Sequence, residues 1–144
     1  MIERKRIVDV ARTWIGTPYH HQAAVKGAGC DCLGLIRGVW LELYGSEPET
    51  PPPYTADWGE IGDKEFMLDA AKKHMKQIEI PSAKEGDVLM FRLRENSMAK
   101  HCSILSAKDM MIHAQIDSGV FEVSVSHWWE RHIVAAFSFP KVIG

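Results

Sequence analysis

The sequence lacks any apolar run near the roughly 20 residues that a bilayer-crossing helix needs. It lacks an excess of either charge: 17 Lys and Arg against 19 Asp and Glu give a formal net charge of -2. Bulk electrostatics therefore makes no case for nucleic acid or an anionic membrane as partner. No Walker-type phosphate loop is present, and no dinucleotide fingerprint follows a strand. Cysteine is scarce and odd in number, with Cys30, Cys32 and Cys102 only. Such a set makes no disulfide framework, and the three are expected as free thiols. The basic start Met1–Arg6 is not followed by an apolar signal core, because Val8–Trp14 mixes charged and apolar residues as an amphipathic helix does. The chain is accordingly expected to be made in the cytoplasm without an export signal of its own. No internal repeat, low-complexity tract or linker divides it, so residues 1–144 are read as one domain, long enough to bury a core.

What is there runs from helix to strand. Apolar residues at 7, 8, 10, 11, 14 and 15 predict a helix over 2–15, stopped by Gly16. Residues 20–31 read as a polar loop, and Leu33, Ile36, Val39, Trp40 and Leu43 predict a second helix over 32–44, ended by Gly45. A proline-bearing connection over 46–62 precedes a third helix over 64–77, with Asp63 as its cap. After Pro81 the pattern changes to strands at 88–91, 101–106, 110–116, 120–125 and 133–139, with one helical turn at 127–131. Helices first and an antiparallel meander afterwards make an α+β fold.

The chemistry gathers on the stretch Gly27–Arg37. A glycine-rich loop ends where a helix begins on Cys32, and a thiol there lies at the positive end of the helix dipole, which favours the thiolate. Asp31 is a natural cap for that helix. Gly34 allows a neighbouring segment to approach the helix start closely. A three-residue link at 107–109 pairs residues whose numbers sum to 216, which sets His101 and His113 diagonally on one strand face as base and orienter. A two-residue link reverses the parity and separates them. By the same alternation Cys102 faces away from His101 and reads as core. Tyr19, on the rigid Gly16-Thr17-Pro18 turn, reads either as an oxyanion donor or as a packed aromatic. A zinc site from Cys30, Cys32, His101 and Cys102 is disfavoured, because Cys-x-Cys is tighter than a zinc knuckle and adjacent strand residues point apart. His20-His21 reads as a loop pair or pocket lining, and Trp128-Trp129 beside His127 as an anchor for the last strand in preference to a ligand-contacting aromatic patch.

Five segments, Gly16-Thr17-Pro18-Tyr19, Asp31-Cys32-Leu33-Gly34-Leu35, Glu85-Gly86-Asp87-Val88-Leu89-Met90-Phe91, His101-Cys102-Ser103-Ile104 and Ile112-His113-Ala114, occur in the order and spacing of one family. Together they resemble the NlpC-type cysteine peptidases, papain-like enzymes that cut the stem peptides of bacterial cell walls. The similarity is greatest to the branch found in phage tails and gene-transfer-agent particles. The resemblance implies a papain-like fold in which N-terminal helices pack on a central antiparallel sheet. It implies Cys32 as nucleophile, His101 as general base, His113 as the third polar residue, and Tyr19 and Asp31 as oxyanion or substrate residues, with no metal or cofactor. The implied substrate is the peptide stem of peptidoglycan, cut between D-γ-glutamyl and a diamino acid, with phage-like tail proteins as partners and a virion as a further location. A thiol acyltransferase or amidase, and an inactive tail-assembly protein, are the competing readings. Three departures from the family pattern lie near the cleft: His20-His21-Gln22 in place of glycines, Leu33 in place of serine, and Cys102-Ser103 in place of Val-Gly.

Overall fold

The computed structural model describes residues 1–49 and 65–144. Its centre is a six-stranded antiparallel sheet. The strands are β4 (Lys76–Ile78), β5 (Val88–Phe91), β6 (His101–Ala107), β7 (Met110–Gln115), β8 (Gly119–Ser124) and β9 (Ile133–Ser138). They lie in the order β4-β9-β5-β6-β7-β8, so the last of them is inserted beside β5 and is not an edge. Period-two alternation gives the sheet two apolar faces. Ile104 and Ile112 point to the face covered by helices, and Leu105 and Met111 to the opposite one, with Leu89, Phe91 and Ala136.

The helical layer begins with α1 (Arg4–Arg12), which buries Ile7, Val8, Val10 and Ala11. It is shorter than the 2–15 helix that the apolar stripe predicts. Ile2–Glu3 forms a strand (β1) instead, paired in parallel with β10 (Val142–Ile143) near the other terminus. Helix α2 (Cys32–Tyr44) has the predicted bounds. Gly45 ends it at φ 80°, its N–H on the Leu41 carbonyl at 2.8 Å. The predicted loop 20–31 contains a small hairpin, β2 (Ala24–Val25) against β3 (Gly29–Cys30).

Helix α3 (Phe66–His74) is also shorter than expected. Its last predicted residues belong to β4, where Lys76, Gln77 and Ile78 pair with Ser138, Phe137 and Ala136. The predicted cap Asp63, and the connection from residue 50 onward, lie outside the described residues.

The link between β6 and β7 differs from the prediction in a consequential way. It is two residues long, Lys108-Asp109, with Asp109 at φ 60° and Ala107 paired with Met110. A bulge between Leu105 and Ala107 then shifts the register by one, restoring Leu105↔Met111 and Ile104↔Ile112. The two departures cancel, and the pairs sum to 216 as expected.

Asp87, after the Gly86 turn, ties sheet to helix. Fully buried, it accepts from Arg4 of α1 at 2.7 Å, from the Ser138 hydroxyl at 2.9 Å and from the Lys84 N–H at 2.9 Å.

Candidate active site

Asp31 fixes the start of α2. One carboxylate oxygen accepts from the Gly34 N–H at 2.7 Å, capping the helix, and the other accepts from the Gln22 N–H at 2.8 Å, strapping the preceding loop to it. Gln22 adopts φ 63°, a left-handed conformation in the segment where the resembled family has glycines. Gly34 cannot be larger: a Cβ there would lie 1.8 Å from the Ala23 carbonyl oxygen. These contacts place Cys32 on the first turn, where N–H groups lack partners within the helix.

Cys32 lies over the start of β6, where three consecutive residues reach it. Its Sγ is 3.4 Å from the Lys100 carbonyl oxygen, while Cys102 Sγ donates to the Cys32 carbonyl at 3.3 Å. The Cys32 thiol is drawn down to about 5, most strongly by its hydrogen bond with Cys102 and further by the hydrogen bond and charge of His101, against the effect of burial and Asp31. The thiolate is thus the form favoured at neutral pH, as a nucleophile requires. Cys102 is held well above the usual thiol range by the same hydrogen bond and by burial, so it stays a protonated donor. Cys30, pushed up to about 12 chiefly by burial, is an inert thiol of the core.

The two histidines meet as the register requires. His101 Nε2 and His113 Nδ1 are 2.9 Å apart, which leaves His101 Nδ1 for the sulfur. Burial, then the charge of His101, lowers His113 to about 4, so it remains neutral and acts through its hydrogen bond.

A cleft of about 250 Å³ opens on this group, lined among others by Tyr19, His21, Cys32, Lys100, His101 and Trp129. Burial first, and then the Cys32 charge, raise the Tyr19 hydroxyl above its ordinary range, which keeps it protonated and able to donate. His21 lines the cleft, whereas His20 packs against Gly29. Asp31 also borders the cleft, but its carboxylate is 2 % exposed and both oxygens serve the protein's own N–H groups. Among the described residues no three His, Cys, Asp or Glu side chains gather to hold a metal ion.

Trp129 is the residue that sequence reasoning undervalued. It sits on the short helix α4 (His127–Glu130), whose cap Ser126 accepts from the Trp129 N–H. Its ring stacks on His101 with centroids 5.1 Å apart and planes at 24°, and meets His113 edge-on at 5.2 Å. It also packs against the apolar cluster of Leu89, Phe91 and Ala136, as does Ile133 at the start of the last sheet strand. Only the aromatic density of His127-Trp128-Trp129 signals it, and nothing local says which face it covers.

The NlpC/P60 family matches residues 16–138. The chain belongs to that family. Among solved structures, the NlpC/p60 domain of the peptidoglycan hydrolase SagA is 25% identical with a TM-score of 0.67, over 96% of this chain and 100% of that one. NlpC1 from Trichomonas vaginalis is 15% identical at a TM-score of 0.68, covering 94% of this chain and 43% of its own. RipD from Mycobacterium tuberculosis, described as a non-catalytic NlpC/p60 domain protein adapted to peptidoglycan binding, is 12% identical at 0.58, over 95% and 96%. No match was found among curated proteins. The family thus holds both a peptidoglycan hydrolase and a non-catalytic member, and its fold is the α+β arrangement described above.

Proposed function

We propose that this chain is a cysteine peptidase that hydrolyses amide bonds in the peptide stems of peptidoglycan. The observation that carries this reading is His101, held between the low-pKa Cys32 thiol and the neutral ring of His113 at the edge of one cleft. In this mechanism the Cys32 thiolate attacks the scissile carbonyl. The developing oxyanion is received by the Cys32 N–H at the start of α2 and by the Tyr19 hydroxyl. His101 protonates the leaving amine and then activates the water that releases the acyl group. His113 holds His101 in orientation and tautomer, as the third member of such a triad does. The bond between D-γ-glutamyl and a diamino acid is the proposed target, supported by the family resemblance. Service in a phage-like tail is supported by the resemblance of Tyr19-His20-His21-Gln22 and Cys30-Asp31-Cys32 to the phage-tail branch of the family, in which His-Gln follows the tyrosine and Cys-Asp-Cys carries the nucleophile.

Mass spectrometry of defined muropeptides tests the proposal. The wild type releases fragments cut at one amide bond, and a folded Cys32→Ala variant releases none. Full activity of Cys32→Ala overturns the reading. Transfer to an added amine in preference to water indicates an acyltransferase on the same site. Binding without cleavage by the wild type indicates a role like that described for RipD.

A further inference from the structure

Cys102 makes and breaks no bond in the mechanism above, yet its sulfur donates to the backbone oxygen of Cys32 at 3.3 Å, and it is the neighbour that draws the Cys32 thiol down most. No sequence rule required this, since alternation on β6 turns Cys102 away from His101 and into the core beneath α2. The two sulfurs differ sharply in access. Cys32 borders the cleft and is 8% exposed, whereas Cys102 is fully buried. A small oxidant entering the cleft therefore meets Cys32 alone, and Cys102 meets only what Cys32 becomes.

We infer that Cys32 and Cys102 form a redox pair, in which Cys102 resolves the sulfenic acid that a hydroperoxide makes on Cys32. In the first step the Cys32 thiolate attacks one peroxide oxygen. An S–O bond forms, the O–O bond breaks, and hydroxide (or an alkoxide) leaves, with the sulfur oxidised by two electrons. In the second step the Cys102 sulfur attacks the sulfenyl sulfur. An S–S bond forms, the S–O bond breaks, and the departing hydroxide takes the Cys102 proton as water. The second step is helped by the first: a neutral sulfenic acid no longer carries the charge that kept Cys102 protonated. The disulfide ties the first turn of α2 to the start of β6. It stores the nucleophile in a form that a dithiol restores, ahead of the irreversible sulfinic stage.

The test reads covalent state and not turnover, so its outcome is independent of whether the chain proves to be a peptidase. The full chain is treated with hydrogen peroxide at neutral pH, and its peptides are mapped without reduction. The expected product is a single intramolecular disulfide between the Cys32 and Cys102 peptides, reversed by dithiothreitol. In Cys102→Ala, oxidised Cys32 is expected to carry two or three oxygens instead, a product that dithiothreitol does not reverse. Cys102→Ser, closer in volume, provides the same comparison should the alanine variant not fold, and the wild-type map depends on neither. Sulfinic acid on wild-type Cys32 without a link to Cys102 overturns the inference. So does a Cys30–Cys32 disulfide, or oxidised Cys32 in the variant that dithiothreitol restores as fully as in the wild type.

Discussion

His101 and His113 are 2.9 Å apart because a one-residue bulge corrects a one-residue shortening of the turn between their strands. The contact buries His113 as a neutral ring, with a consequence for stability. A histidine of ordinary value in the unfolded chain and of about 4 in the folded one binds its proton more readily when unfolded. Stability from this group is complete above the unfolded value and declines as pH falls through 6.5 toward 4. Between pH 7 and 4 the wild type should lose about 3 kcal/mol more than His113→Asn, by urea unfolding at each pH. In the proposed peptidase the same variant should lower kcat by about 100-fold or more with little change in KM, since a positioning group is lost and not a binding one.

Alkylation should rank the three thiols. Cys32, at about 5, should react with iodoacetamide at pH 6, with a rate inflection near its own value. Cys30, at about 12, and Cys102, held higher than an ordinary thiol, should remain unlabelled there. Peptide mapping of the labelled chain reads this directly, and equal slow labelling of all three would contradict it.

Trp129 stacks on the imidazole of His101 with near-parallel planes and holds that ring in place beside Cys32. Trp129→Ala should therefore loosen that ring, slow Cys32 alkylation and lower turnover on the order of tenfold, while Trp129→Phe recovers part of both. A variant that loses activity with no change in the alkylation profile would assign Trp129 to substrate contact instead.

Asp87 is expected to matter through folding alone. Asp87→Ala leaves the Arg4 guanidinium, only 14% exposed, without its carboxylate and strips an acceptor from Ser138. The expected cost is about 3–5 kcal/mol in denaturant unfolding. Any muropeptide activity in the folded fraction should be unchanged, as Asp87 is not among the residues lining the cleft.

Much of this was legible in the sequence because short-range signals agreed with one another. The glycine stop at 45, the Asp31 cap and the helical stripe fix α2 without reference to the rest of the chain. The face shared by His101 and His113 is also legible, although by compensation: the turn is one residue shorter than the spacing predicts, and the bulge at 106 restores the parity. Strand β4 was not, because Lys76-Gln77-Ile78 is short, polar and lies at a sheet edge, where pairing with β9 outweighs the helical pattern running into it. Cys102 lies in the core as its alternation on the strand implies, but its contact with Cys32, like that of Trp129 with His101, is not legible for another reason. Trp129 stacks on a residue 28 positions earlier and Cys102 bonds one 70 positions earlier, and no periodicity within an element reports contacts at that range.

The pairing of β1 with β10 bears on how the chain takes mechanical load. Ile2 and Glu3 lie beside Val142 and Ile143 in parallel, with the Ile2 N–H on the Lys141 carbonyl at 2.9 Å. Tension applied at the two ends pulls these strands past each other along their length, so their hydrogen bonds share the force and do not open one by one. A neighbour tugging on either end would first strain this clasp, while the strands that carry His101 and His113 lie outside the line of pull.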